Sequence, residues 1–185
     1  MPWRLLTTLL VLCLTVSGTA VRADQNDRRL DALFGNLQVV ETPHEARMLE
    51  RVIWGVWLES GSDTVDLLMK RVLQAMSEER LDEALGLLDT VVELKPDYAE
   101  GWNKRATVYF LLGRYPESMV DVDRTLQLEP RHFGALAGLG MIYSRLDDDS
   151  RALDAYERAL AVNPHLAGAK SAVGRLRKKV EGDKI

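Results

Sequence analysis

Cysteine is almost absent from this chain of 185 residues, in which Cys13 is the only one. A single thiol cannot form a disulfide within the chain, so stability must come from a buried core. Lipidation of Cys13 is not favoured either, because Val11 and Leu12 precede it where a lipoprotein cleavage site would have small residues.

Residues that could perform chemistry are also scarce. The three histidines, His44, His132 and His165, fall near predicted helix starts, and none has a ligand partner at metal-binding spacing. We interpret them as surface or helix-capping residues. The acidic run at 147–150, DDDS, lacks the spaced aspartates of a calcium loop and fits a turn that caps the next helix. The sequence therefore predicts no catalysis, no metal and no cofactor.

Clustered positive charge is missing from most of the chain. The formal net charge is −4, and a local excess of Lys and Arg occurs only in the last segment, 166–185. A nucleic-acid surface would need grouped cations, so the acidic balance argues against a nucleic-acid partner.

The apolar stretch 5–16 is shorter than the about 20 residues that a membrane-spanning helix needs. Arg4 precedes it and Val21-Arg22-Ala23 follows it, which together give residues 1–23 the pattern of a secretory signal. We predict cleavage after Ala23 and export to the periplasm or the medium. The alternative is that the segment stays uncleaved and tethers the protein to a membrane.

A repeat of fixed length organises the rest of the chain. Pro96, Pro130 and Pro164 recur every 34 residues, each after a similar phrase: VVELKP, TLQLEP and ALAVNP. Small residues recur at the same interval: Ala84, Ser118 and Ala152. Apolar residues three or four apart predict two amphipathic helices per copy, and no stretch alternates as a strand would. The period and the helical pattern indicate an all-α fold of stacked repeats.

The phrase WNKRATVY at 102–109 and the run from Leu136 to Pro164 resemble the tetratricopeptide repeat (TPR). The resemblance implies a right-handed α-solenoid of stacked helix pairs. The expected segments are a degenerate N-terminal helix pair at 24–63, copies at 64–97, 98–131 and 132–165, and a C-terminal capping helix at 166–185. The second copy departs from the pattern, with Arg105 and Ala106 in place of Leu-Gly and Ser118 and Thr125 in place of Ala.

By that resemblance, the first helix of each copy lines a concave groove that binds a peptide or a partner protein. The predicted groove residues are Asp66, Met69, Leu73 and Met76; Glu100, Asn103, Lys104, Thr107 and Phe110; and Gly134, Ala137, Met141 and Ser144. We expect bulky or charged changes such as Met69→Glu, Asn103→Arg or Ala137→Arg to weaken partner binding without unfolding the helices. Glu100 stands where chaperone-binding members have Lys, so no carboxylate clamp is implied.

The stretch RHFGALAGLGMIY, residues 131–143, contains three glycines. No strand precedes it, which argues against a phosphate loop. In the repeat frame it is the first helix of the third copy. Gly140 then fills a small position where two helices approach, and Gly134 leaves the groove floor bare. The pattern gives no role for Gly138.

Two tryptophans near the N-terminus leave the oligomeric state open. Trp54 and Trp57 belong to the apolar stripe of a helix that begins at the predicted cap Thr42, with Pro43 and Glu45 in its first turn. The two indoles could anchor a dimer or complete the N-terminal pair.

We expect the mature protein to begin at Asp24, because the secretory pattern ends at Ala23. N-terminal sequencing of protein purified from the native cell checks this. Retention of residues 1–23 would instead support the membrane tether.

Overall fold

The computed structural model describes residues 24–182, so the predicted signal at 1–23 lies outside the described residues. Within that range the chain forms nine α-helices and no strand. They are α1 (Arg29–Val39), α2 (Pro43–Leu58), α3 (Asp63–Ser77), α4 (Leu81–Leu94), α5 (Ala99–Leu111), α6 (Tyr115–Leu128), α7 (Phe133–Arg145), α8 (Asp149–Val162) and α9 (Ala167–Gly182). None of these helices is long and apolar enough to cross a bilayer. The all-α prediction is confirmed.

Three helix pairs form the stack: α3 with α4, α5 with α6, and α7 with α8. The second helix of each pair also packs on the first helix of the next pair, and α8 packs on α9. Three inter-copy turns, at 95–98, 129–132 and 163–166, contain the repeat prolines. The 34-residue period therefore corresponds to one helix pair plus one inter-copy turn.

Small residues stand where helices of the stack come closest. A Cβ at Gly140 would lie 2.9 Å from the ring of Tyr156, so only glycine fits there. Ala84 and Ala152 are fully buried at equivalent places in the first and third copies. The predicted small position at Gly140 is confirmed.

The capping helix α9 closes the last copy. Its apolar side, which includes Ala169, Val173 and Leu176, packs with Ala152 and Tyr156 of α8. Arg177 reaches back to Glu157 of α8, with Nη2 2.6 Å from Oε1. A polar outer face on the terminal helix is what keeps a solenoid end soluble.

The N-terminal pair, α1 and α2, is placed differently from the three copies. It packs little against α3. It lies across the inter-copy turns, with Asp31 of α1 accepting from Arg131 of the second turn at 2.7 Å. The Tyr98 hydroxyl donates to the Leu58 carbonyl at 3.0 Å, and the Asn163 side chain donates to Glu50 at 2.8 Å. The pair is thus a brace along one edge of the stack.

Local signals explain where α2 and α8 begin. The Thr42 hydroxyl accepts from the amide of Glu45 at 3.2 Å and donates to the Glu45 carboxylate at 2.7 Å. Glu45 therefore bonds the hydroxyl of the cap rather than its backbone amide. Asp148 caps α8 by accepting from the amide of Arg151 at 2.9 Å, as the turn interpretation of DDDS predicts.

Arg105, the departure from the family pattern, takes part in a buried ion pair. Its Nε and Nη2 donate to the two carboxylate oxygens of Asp121 at 2.7 and 2.9 Å, and Nη1 donates to Asp89. The guanidinium also lies 4.8 Å from the ring of Trp102. Because the Asp121 side chain is only 2% exposed, this ion pair joins α5 to α6 inside the second copy.

We expect Arg105→Ala to lower the free energy of unfolding by about 3–5 kcal/mol, since it leaves the Asp121 carboxylate buried and unpaired. Urea denaturation measures the loss. The matched control is Arg158→Ala, whose partner Asp154 is exposed and 3.7 Å away, and which should cost about 0.5 kcal/mol or less. Similar losses for the two variants would contradict the assigned role of Arg105.

Candidate partner-binding groove

The concave face is built by the first helices of the copies, α3, α5 and α7, with α5 and α7 in direct contact. The predicted groove residues lie on these helices at intervals of three or four, which places them on one side of each helix. The structure divides them into a covered group near the helix starts and an open group further along.

The covered group is not available to a partner. Met69, Glu100 and Asn103 are buried. The Asp66 carboxylate accepts from the amide and the hydroxyl of Ser60, at 2.8 and 2.5 Å, and so braces the loop between α2 and α3. The expectation that Met69→Glu or Asn103→Arg would spare the fold is therefore wrong, because either change puts a charge into the interior.

A buried polar cluster lies at the centre of this covered group. Glu100 is 1% exposed; its Oε2 is 2.9 Å from Nε2 of His132, and its Oε1 is 2.7 Å from Nζ of Lys104. Asn103 also donates to Glu100, at 2.9 Å. Burial by itself would raise the pKa of Glu100, but the Lys104 ammonium and the His132 hydrogen bond together hold that pKa below its usual value. Glu100 is thus an internal anion.

His132 is completely buried, which the interpretation as a surface or capping residue did not foresee. Its Nδ1 does cap α7, since it accepts from the Ala135 amide at 3.1 Å. A ring nitrogen that accepts carries no proton, so Nε2 bears the hydrogen and donates to Glu100. His44, by contrast, is exposed, and His165 is partly buried in the third inter-copy turn.

Aromatic rings from α2 seal the polar cluster. The Trp57 indole stacks on the His132 imidazole at 4.1 Å between centroids and 10° between planes. Trp54 meets Trp57 edge to face at 5.2 Å, and the Lys104 ammonium lies 5.0 Å from the Trp54 ring. The two tryptophans therefore complete the N-terminal pair, and their contacts are made within the chain.

Gly134 provides the space that Trp54 occupies. A Cβ at Gly134 would come 2.6 Å from Cη2 and 2.9 Å from Cζ2 of Trp54. The bare backbone predicted for this position is present, and the group that approaches it is the chain's own indole.

The same cluster bears on the expectation that the groove has no carboxylate clamp. Lys104 is the one cation among the predicted groove residues, and its ammonium is paired with Glu100 beneath Trp54. A partner's carboxylate would have to displace that pairing and would meet the Glu100 anion.

The open group borders a hollow of about 230 Å³. It is lined by Asn103, Ala106, Thr107, Phe110, Leu111, Ser118, Val122, Gly134, Ala135, Ala137, Gly138, Met141 and Ile142. Met141 is 45% exposed, and Leu73, Leu111 and Ser144 are also exposed on the first helices. Met76 is half-buried and packs against the first core cluster. We name this lined hollow the open groove.

The hydroxyls in or beside the open groove are already bonded within the chain. Thr107 donates to the Asn103 carbonyl at 2.9 Å, Ser118 to the Ala106 carbonyl at 2.7 Å, and Ser144 to the Gly140 carbonyl at 2.8 Å. Little polar surface is left for a ligand, so the open groove presents an almost wholly apolar wall.

A second hollow, of about 490 Å³, lies between α2 and the start of α9. Arg47, Glu50, His165 and Lys170 contribute polar groups to it, and Ala137 lines both hollows. The open groove therefore continues past Ala137 towards α9. Within residues 24–182 no group of three His, Cys, Asp or Glu side chains is arranged to hold a metal ion.

His132, Trp54 and Trp57 are the site residues that sequence reasoning missed. Glu100 and His132 are 32 positions apart, and no helical spacing relates them. The 34-residue frame does place His132 under Tyr98, and both rings are fully buried against α2. A large residue at the same position of successive inter-copy turns is the sequence pattern that could have predicted the burial of His132.

Gly134→Ala and Gly138→Ala add the same methyl group to α7 and the same gain in helix propensity, about 1 kcal/mol. At Gly134 the methyl must push Trp54 aside, whereas at Gly138 it meets nothing within 4 Å. We expect Gly134→Ala to be less stable than Gly138→Ala by about 1–3 kcal/mol in urea denaturation, with a change in tryptophan fluorescence. Equal stability of the two variants would show that Trp54 does not rest on Gly134.

Comparisons with known proteins agree with this architecture. Sequence profiles of the tetratricopeptide repeat match residues 69–126 and 133–166. The first TPR of Spaghetti (RPAP3), solved bound to the HSP90 peptide SRMEEVD, superposes with a TM-score of 0.61 at 19% identity. That superposition covers 63% of this chain and 93% of the other, and shows a shared fold.

Two relatives differ in how much of their length is shared. The Hsp70-Hsp90 organizing protein of Triticum aestivum is 28% identical over 104 residues, which is 56% of this chain but only 18% of the plant protein. A TPR repeat-containing protein of Rhizobium etli is 42% identical over 157 residues, covering 85% of this chain and 77% of that bacterial protein. With the repeats matched and this relative covered over most of its length, the chain belongs to the tetratricopeptide repeat family.

Proposed function

We propose that this protein is a non-catalytic scaffold that holds an apolar segment of a partner protein in the open groove. The observation that carries the proposal is an exposed apolar wall on the concave face, with Met141 at its rim and no polar group left unbonded among its hydroxyls. Exposed apolar surface of this kind is typical of interaction sites.

The relatives support binding as the activity, but the ligand that we propose for this chain differs from the acidic peptide bound by the RPAP3 domain. The RPAP3 domain binds the peptide SRMEEVD, which carries three acidic side chains. In this chain the concave cation Lys104 is already paired with Glu100 and covered by Trp54. The groove is therefore suited to an apolar partner segment rather than to an acidic tail.

Export is the second part of the proposal. We infer from the secretory pattern at 1–23 that the scaffold works in the periplasm or outside the cell. The alternative is an assembly factor for an envelope complex, tethered to the membrane by an uncleaved segment 5–16. The acidic composition supports a protein partner over a nucleic acid in either case.

Photo-crosslinking tests the binding site. We expect a photoreactive amino acid at Met141 to crosslink one discrete partner in native envelopes, because Met141 stands at the rim of the open groove. Met141→Glu should weaken capture by tenfold or more, since it places a charge in an apolar interface.

The matched control is Val120→Glu, an exposed apolar residue of α6 that does not line the open groove. Capture should be unchanged in that variant. Binding that survives Met141→Glu would rule out the open groove as the site. So would a photoreactive residue that crosslinks the partner when it is placed at position 120 but not at position 141. Circular dichroism should show the same helix content in both variants.

A further inference from the structure

Gly134 and Gly138 lie one helical turn apart on α7, and only one of them is covered. Trp54 rests on Gly134, whereas a Cβ at Gly138 would meet nothing within 4 Å. Residues four apart face the same side of a helix, so both bare positions look into the groove. The bare backbone at Gly134 is thus covered by an aromatic ring of the chain itself. One turn further on, the bare backbone at Gly138 has no side chain against it.

The walls over Gly138 define the size of what can enter. Phe110 and Leu111 of α5 and Met141 and Ile142 of α7 line the hollow together with Gly138, and the hollow measures about 230 Å³. Sites for small-molecule ligands usually span about 300–1,000 Å³. The hollow is therefore matched to one large side chain.

The chemistry of the walls selects an apolar and polarizable side chain. Thr107 and Ser118 donate their hydroxyl protons to backbone carbonyls, so a hydrogen-bond acceptor on a ligand would find no free hydroxyl donor there. Phe110 offers a ring for edge or offset contact, and the Met141 thioether interacts favourably with aromatic rings. An aromatic ring gains from both contacts.

We propose that the place over Gly138 is the seat for an aromatic side chain, tryptophan in the best case, carried by a partner helix that lies beside α2. α2 provides the precedent, since it is a helix that sets Trp54 on Gly134. The second hollow, which shares Ala137 with the open groove, lies between α2 and the start of α9, on the side where such a helix would approach. This inference rests on the proposed function and names the anchor of its partner.

The direct probe is 3-methylindole, the side chain of tryptophan, followed by NMR of the methionine methyl groups. We expect the Met141 methyl to shift upfield, because it would face the bound ring, with a Kd of about 1–10 mM for so small a ligand. Met48, exposed on α2 away from this hollow, should not shift.

Gly138→Leu fills the seat, and it should reduce 3-methylindole binding at least tenfold. Gly86→Leu is the matched control, because Gly86 is also a helical glycine with open space around it, on α4. Gly138→Ala fills the seat only partly and should give an intermediate loss, which keeps the test valid if Gly138→Leu folds poorly.

An unchanged Met141 shift in Gly138→Leu, or an equal shift at Met48, would overturn the aromatic seat. So would a partner that crosslinks at position 141 and still binds Gly138→Leu with full affinity, although the scaffold function would then stand. Failure of the scaffold function looks different: no partner crosslinks at position 141 in the wild-type background, whatever 3-methylindole does.

Discussion

The Trp57 indole lies flat on the His132 imidazole, and this contact joins the N-terminal pair to the start of α7. The imidazole cannot turn, because Glu100 holds one of its nitrogens and the Ala135 amide holds the other. The His132 side chain thus caps the start of α7, donates to the buried Glu100 carboxylate and packs against Trp57 of α2. Removing a partner from a buried ion costs several kcal/mol, so the members of the cluster stabilise one another.

Placing α2 on the helix starts changes what a TPR groove can do. The covered end of the groove keeps Glu100, Asn103 and Lys104 as internal structure, while the far end stays open and apolar. The RPAP3 domain, which shares this fold, was solved with the acidic peptide SRMEEVD bound. In this chain Trp54 of the N-terminal pair covers Lys104, and the open groove is lined in part by Gly134, Ala137 and Gly138.

The helices, the three copies and the caps at Thr42 and Asp148 could be predicted from the sequence, because each depends on residues a few positions apart or on the fixed period. Gly140 could be placed for the same reason, since the repeat specifies where helices cross. The state of the groove residues could not. Met69 is buried among residues of the stack itself. Glu100 belongs to the polar cluster that Trp54 and Trp57 of α2 cover, and no periodicity predicts where that helix docks.

By itself, the sequence determined an all-α stack of about three helix pairs, since hydrophobic periodicity and recurring small residues leave few other ways to bury the apolar faces. The tertiary structure alone decided that α1 and α2 run along the inter-copy turns, through contacts such as that of Asn163 with Glu50, 113 positions apart. It also decided that Trp54 packs on Gly134, whereas no side chain packs on Gly138. Such pairings depend on which surfaces meet after the helices have formed, and that information lies in three-dimensional packing rather than in local spacing.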